Sequence, residues 1–213
     1  MSYLAKELEA DLEWRLHEIE VVRRKHSQCA TGSERKIIVK CLVLMLYAHW
    51  EGFVKHALTL YVEALCRTGA KRRQLIDNLV ARSLQGTLNR LTDRSIVVRA
   101  EFVASLDQLL DATLVIEQEG VNTKANLKTG VFRGLLADYG VYVQDTLVNE
   151  FTIDTLVDRR NDIAHGKRAP IEEIDVFLRF YKEIQVLMEE LAIAIDRCLD
   201  HQSYLKPVAA GNS

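Results

Sequence analysis

One short stretch of the chain, RRNDIAHG at 159–166, combines residue types and a spacing suited to phosphate chemistry. Arg160 offers a permanent cation that can hold a phosphate and stabilise charge building up on its oxygens. His165, close behind it, offers an imidazole, which takes up and releases protons near neutral pH. The pair meets the needs of RNA cleavage without a metal. The 2′-OH would attack the adjacent phosphorus and expel the 5′-oxygen, leaving a cyclic phosphate. Asn161 lies four residues before His165 on the same side of a helix and is placed to orient the imidazole.

Helical geometry constrains this arrangement. At ~100° per residue, Ile153, Leu156, Val157, Ile163 and Ala164 share one face, and Arg160 lies in the middle of it. A charge aimed into a core without a partner is costly, so Arg160 is expected to meet a carboxylate or a cleft between subunits. Asp158, Arg159 and Asp162 read as solvated. His165 falls about 140° round from Arg160. The two converge only if the helix ends at His165 with a left-handed turn at Gly166, or if a two-fold axis pools two copies of each. The alternative is a plain helix end. Arg159, Arg160, His165, Lys167 and Arg168 are what the negative end of a helix dipole favours, with Gly166 an ordinary C-cap.

A second candidate is YAHWEGFVK at 47–55. Glu51 lies in an apolar stripe and needs a cation. Lys55, four residues on, is oriented to supply it. Either the two form an ion pair inside the bundle, or Glu51 orients Arg160 from a neighbouring helix. Trp50 and Phe53 read as core, and His49 and His56 as interior histidines. The KRR run at 71–73 reads as a solvated loop that could also help hold an RNA backbone.

The elements that must position these groups are helices. Two Pro and ten Gly in 213 residues is little punctuation, and strand-like alternation is hard to find. The fold class is all-α. An amphipathic helix is expected over 3–28, and a second over about Ser33–Cys66 with Ser33 as its cap. Its apolar stripes are Ile38, Leu42, Met45, His49 and Leu60 on one side and Leu44, Ala48, Leu58 and Val62 on another, which puts it mid-bundle. Residues 70–120, rich in arginine, read as a helical insertion or cap with a helix near 99–117. A loop over 117–130, capped by Asn126 or Thr129, leads to a short helix, Val131 to Tyr139, ended by Gly140. Thr152 or Asp154 starts the motif helix. Ala169-Pro170 opens the last helix, with Glu172 and Glu173 at its positive end, running to about His201. Residues 1–205 form a single domain, and 206–213 a disordered tail.

Composition narrows the function. The net charge of -2 argues against a protein that coats DNA through many phosphate contacts, but not against RNA handled at one site. Cys29, Cys41, Cys66 and Cys198 are far apart, form no zinc pattern with the histidines, and read as buried, reduced thiols of a cytosolic protein. The N-terminus lacks the basic start and apolar run of a signal peptide. The most apolar run, Ile37 to Trp50, falls short of a ~20-residue span. The expectation is a cytoplasmic protein with no membrane contact.

RNDIAHG preceded by IDTLVDR resembles the signature of the HEPN superfamily, an Arg and a polar residue followed by a His. YAHWEGFVK and NLKTGVFRGLLADYGV are similar to the MAE-type HEPN-like nuclease branch, and the resemblance extends over about 35–195. It implies a helical bundle that dimerises through the motif helix. It implies a metal-independent, cofactor-free endoribonuclease, often part of a toxin–antitoxin or phage-defence system and hence with an antitoxin or regulatory partner. It assigns Arg160 and His165 as the catalytic pair, with Asn161 as the polar position after the Arg. Beside it, the reading of the residues themselves takes Glu51 and Lys55 as support and Arg159, Lys167 and Arg168 as RNA contacts. The alternative is a non-catalytic HEPN module that binds a nucleotide or a partner protein.

Overall fold

In the computed structural model of the chain, residues 2–92, 94–116, 121–167 and 173–207 are described. They form eight α-helices: α1 (Tyr3–Gln28), α2 (Gly32–Arg67), α3 (Asp77–Ser83), α4 (Gln85–Arg90), α5 (Ile96–Asp111), α6 (Thr129–Tyr139), α7 (Glu150–Ala164) and α8 (Ile174–Asp200). The all-α class is confirmed. Arg168 and the expected Ala169-Pro170 start lie outside the described residues. The last helix itself begins at Ile174, behind Glu173.

The central element is α2, which packs against α1, α7 and α8. It starts one residue earlier than expected, and its cap is Thr31 rather than Ser33. The Thr31 hydroxyl accepts from the Glu34 N–H, and the Glu34 carboxylate accepts from the Thr31 N–H. Of the two stripes expected on it, the one through Leu44 and Ala48 does not hold, since Ala48 is exposed. Leu42, Leu46, Trp50, Phe53, Leu58, Tyr61 and Leu65 are fully enclosed instead. By length and composition α2 could cross a bilayer, more than its Ile37–Trp50 run suggested, but it is packed into this core along much of its length.

Arg15, a buried residue of α1, shows how closely the two N-terminal helices meet. Its guanidinium is clamped by Asp11 at 2.7 Å, and a Cβ on Gly52 of α2 would sit 2.7 Å from it. Nearby, buried His49 approaches Glu18 at 3.2 Å, and burial lowers its pKa. Between α2 and α6 the segment expected as a cap divides. Leu75 and Leu79 are buried in the main core, whereas α5 buries no residue. That helix spans Ile96–Asp111 rather than 99–117. Gly140, left-handed at φ +64, ends α6 as expected. The disordered tail expected from 206 does not hold at Lys206, which is pinned by its N–H to the Gln74 carbonyl and by its ammonium to Asp77, at 2.8 and 2.7 Å. Residues 208–213 are outside the described residues. Only Cys198 of the four unpaired cysteines is buried, and Cys41 is exposed, because it faces away from the packed side of α2.

Candidate functional site

The motif helix α7 is capped by Asn149, whose side chain accepts from the Thr152 N–H, not by Thr152 or Asp154. Asp154 is used elsewhere. It accepts the Thr129 N–H at 2.8 Å and so caps α6, a task expected of Asn126 or Thr129. The far end of α7 follows the expectation. His165 is the C-cap, Gly166 is left-handed at φ +67, and the N–H groups of Gly166 and Lys167 bond back to the Ile163 and Asp162 carbonyls. This is the Schellman arrangement, which satisfies carbonyls the helix leaves open.

Arg160 points inward, as its place on the apolar face requires. Its guanidinium lies 3.8 Å from the centre of the Tyr47 ring, and Nη2 donates to the Ala125 carbonyl at 2.9 Å. Its Nε is buried without a hydrogen-bond partner. Among the described residues no carboxylate pairs with it, so of the two expected partners the carboxylate is not found; within the protomer an aromatic ring and a carbonyl take its place. An aromatic face and a carbonyl dipole hold a cation without cancelling its charge.

The loop 121–128 is clipped between α2 and α7 around this arginine. Thr123 donates its hydroxyl to Glu51 of α2, and the Leu127 N–H donates to the Tyr47 hydroxyl at 3.0 Å. Asn161 donates to the Asn126 side-chain oxygen at 3.2 Å, and Lys128 pairs with Asp158 at 2.7 Å. Lys124 and Ala125 are both left-handed, at φ 56 and 50, a conformation that costs about 1–3 kcal/mol per residue and persists only where the surroundings hold it. Burial pushes the Tyr47 phenol above its ordinary value while Arg160 and the Leu127 N–H pull it back, so it stays a neutral hydroxyl.

The predicted residues therefore fall into separate groups. Glu51 and Lys55 do form an ion pair, at 3.3 Å, but Glu51 also holds Thr123 and has no bond to Arg160. The Asn161 amide is engaged by Asn126 and not by His165; what joins the two is the His165 backbone N–H donating to the Asn161 carbonyl. His165 is exposed at the helix end, while Arg160 is half-buried on the inner side. On the helix the two lie about 140° apart. Lys167, predicted to contact RNA, is paired with Asp162 at 2.8 Å and holds that carboxyl below its usual range. Asp158 and Asp162 are thus ion-paired, and Arg159 is half-buried, so none of the three is simply solvated.

Sequence reasoning missed Tyr47. Its signal was present, since Tyr47, Glu51 and Lys55 recur every four residues on one stripe of α2. The loop partners Thr123, Ala125 and Asn126 carry no such periodicity.

A helical bundle that presents an Arg–Asn pair inward and a His at the Gly-capped end of the same helix defines a class. The chain matches the MAE_28990-like HEPN family over residues 4–204 and belongs to it. No curated protein and no solved structure matches the chain.

Proposed function

We propose that the protein is a metal-independent endoribonuclease acting as a dimer. The observation that carries this reading is the state of Arg160. A half-buried guanidinium is held in place by Tyr47 and Ala125, with no carboxylate among the described residues to cancel it and with Nε unbonded. Holding such a cation is costly to the fold and useful to a phosphate. In the proposed reaction the RNA 2′-oxygen attacks the adjacent phosphorus and its proton passes to one His165. The 5′-oxygen leaves with a proton from the His165 of the second subunit, and Arg160 stabilises the phosphorane oxygens. The reading extends to a cytoplasmic toxin or phage-defence role, and an unrestrained ribonuclease calls for an antitoxin or regulatory partner.

The test is to incubate purified protein with RNA in the presence of a chelator. Wild type should cleave to cyclic-phosphate ends, and Arg160→Ala and His165→Ala should each lower the rate by about 10²–10⁴-fold. Cleavage that persists in His165→Ala sinks the mechanism.

One observation favours a second reading. Arg160 and Asn161 both bind the loop at Ala125 and Asn126, so the motif could serve only to clip that loop in a non-catalytic module. On that reading Arg160→Ala would lower thermal stability and His165→Ala would change nothing.

A further inference from the structure

A cleft of about 880 Å³ opens beside the Arg160 loop, lined by the α3–α4 segment and by residues 121–125 among others. Four cations line it: Lys55, Arg72, Arg82 and Arg90. Among the described residues lining it there is no carboxylate. In a chain of net charge -2 this concentration of positive charge is local and one-sided.

The three arginines are fixed by neutral partners. Arg72 donates from Nε to the Ser83 hydroxyl at 3.0 Å and from Nη1 to the Leu109 carbonyl at 3.2 Å. Arg90 donates from Nε to the Gly86 carbonyl at 3.1 Å. Arg82 donates to the Gln85 side chain and lies over the Tyr139 ring. Such bonds set the direction of a guanidinium and leave its charge available. Of the four, Lys55 alone has a carboxylate partner among the described residues, Glu51. The guanidinium is also the group best matched to phosphate oxygens.

The cleft reaches Ala125, whose carbonyl holds Arg160, so one loop forms a wall of the cleft and a contact of the candidate site. We propose that this cleft binds the phosphate backbone of single-stranded RNA and leads the strand toward Arg160; the direction of travel rests on the ribonuclease reading, and the binding itself rests on charge and shape. A recessed cleft admits a flexible strand, whereas a duplex offers it only outer phosphates. Contacts to phosphate carry no sequence information, so binding is insensitive to base order.

The experiment measures binding of a labelled single-stranded RNA to the full chain carrying His165→Ala, with chelator, over a series of salt concentrations. Three arginine–phosphate contacts at ~0.7 each give a slope of log K against log salt of about -2. Arg90→Ala, at an exposed position, should weaken binding several-fold at low salt and flatten the slope by about 0.7. Arg72→Gln should do the same, while Arg24→Ala on α1, outside the lining, should leave both unchanged. Unchanged melting temperature of Arg90→Ala separates lost binding from lost folding. A parent-like slope in both cleft variants overturns the proposal. So does displacement of the RNA by a mononucleotide at equal phosphate concentration, which would make the cleft a nucleotide site. If Arg160- and His165-dependent cleavage is observed while the slope ignores Arg90, the cleft fails and the ribonuclease reading stands. If the slope falls as stated and no cleavage occurs, the reverse holds.

Discussion

Tyr47 supplies the surface on which the Arg160 guanidinium rests and the acceptor for the Leu127 N–H, and the two jobs can be separated. Tyr47→Phe keeps the ring and leaves a buried N–H unpaired, a loss of about 1–3 kcal/mol in stability. Tyr47→Leu removes the ring as well, and with it a cation–π contact worth about 0.5–2 kcal/mol. Both variants should melt earlier. Only Tyr47→Leu should also lose RNA cleavage in step with Arg160→Ala, because only it frees the guanidinium to swing. Measuring kcat/KM beside the melting temperature decides this, and equal cleavage by the two variants would mean that the ring does not position Arg160.

The end of α7 is set by Gly166. Nothing lies within 4 Å of where its Cβ would stand, so a side chain there meets no clash and only the left-handed backbone is strained. Gly166→Ala should cost about 1–2 kcal/mol by that strain, fray the last turn and displace His165. Gly166→Asn, which tolerates the conformation, should cost less. Thermal melts and cleavage rates of the two variants check the order. An alanine that costs no stability would show that the turn relaxes without affecting the helix.

At the scale of the whole molecule, a single protomer turns Arg160 inward and His165 outward, so the proposed chemistry needs a second subunit. The outer side of α7 supports one. Phe151 is 74% exposed there, and at ~100° per residue it shares a face with Asp158, Asp162 and His165, opposite Arg160. On the dimer reading, this exposed aromatic on the motif helix is the position at which to test a contact between copies. Phe151→Asp should yield monomers in sedimentation and lose cleavage, while hybrid dimers of wild type and His165→Ala, left with one imidazole, should cleave far more slowly than wild-type dimers. A monomeric wild type that cleaves RNA would refute the arrangement.

The helices, their ends at Gly166 and Gly140, and the Arg160–Asn161–His165 spacing were legible in the sequence, because periodicity, capping chemistry and glycine placement act over a few neighbouring residues. The Glu51–Lys55 pair was legible for the same reason. What Arg160 touches was decided by the tertiary structure. Its partners, Tyr47 and Ala125, come from α2 and from a loop more than thirty residues away, brought together because α2 packs on α7 and the loop is clipped between them. The arginine cleft likewise joins residues of α2, the turn at Arg72, α3–α4, α5 and the loop after it, and no local pattern announces it. Spacing along the chain fixes which side of a helix a group occupies, and only the packing of helices fixes what stands opposite.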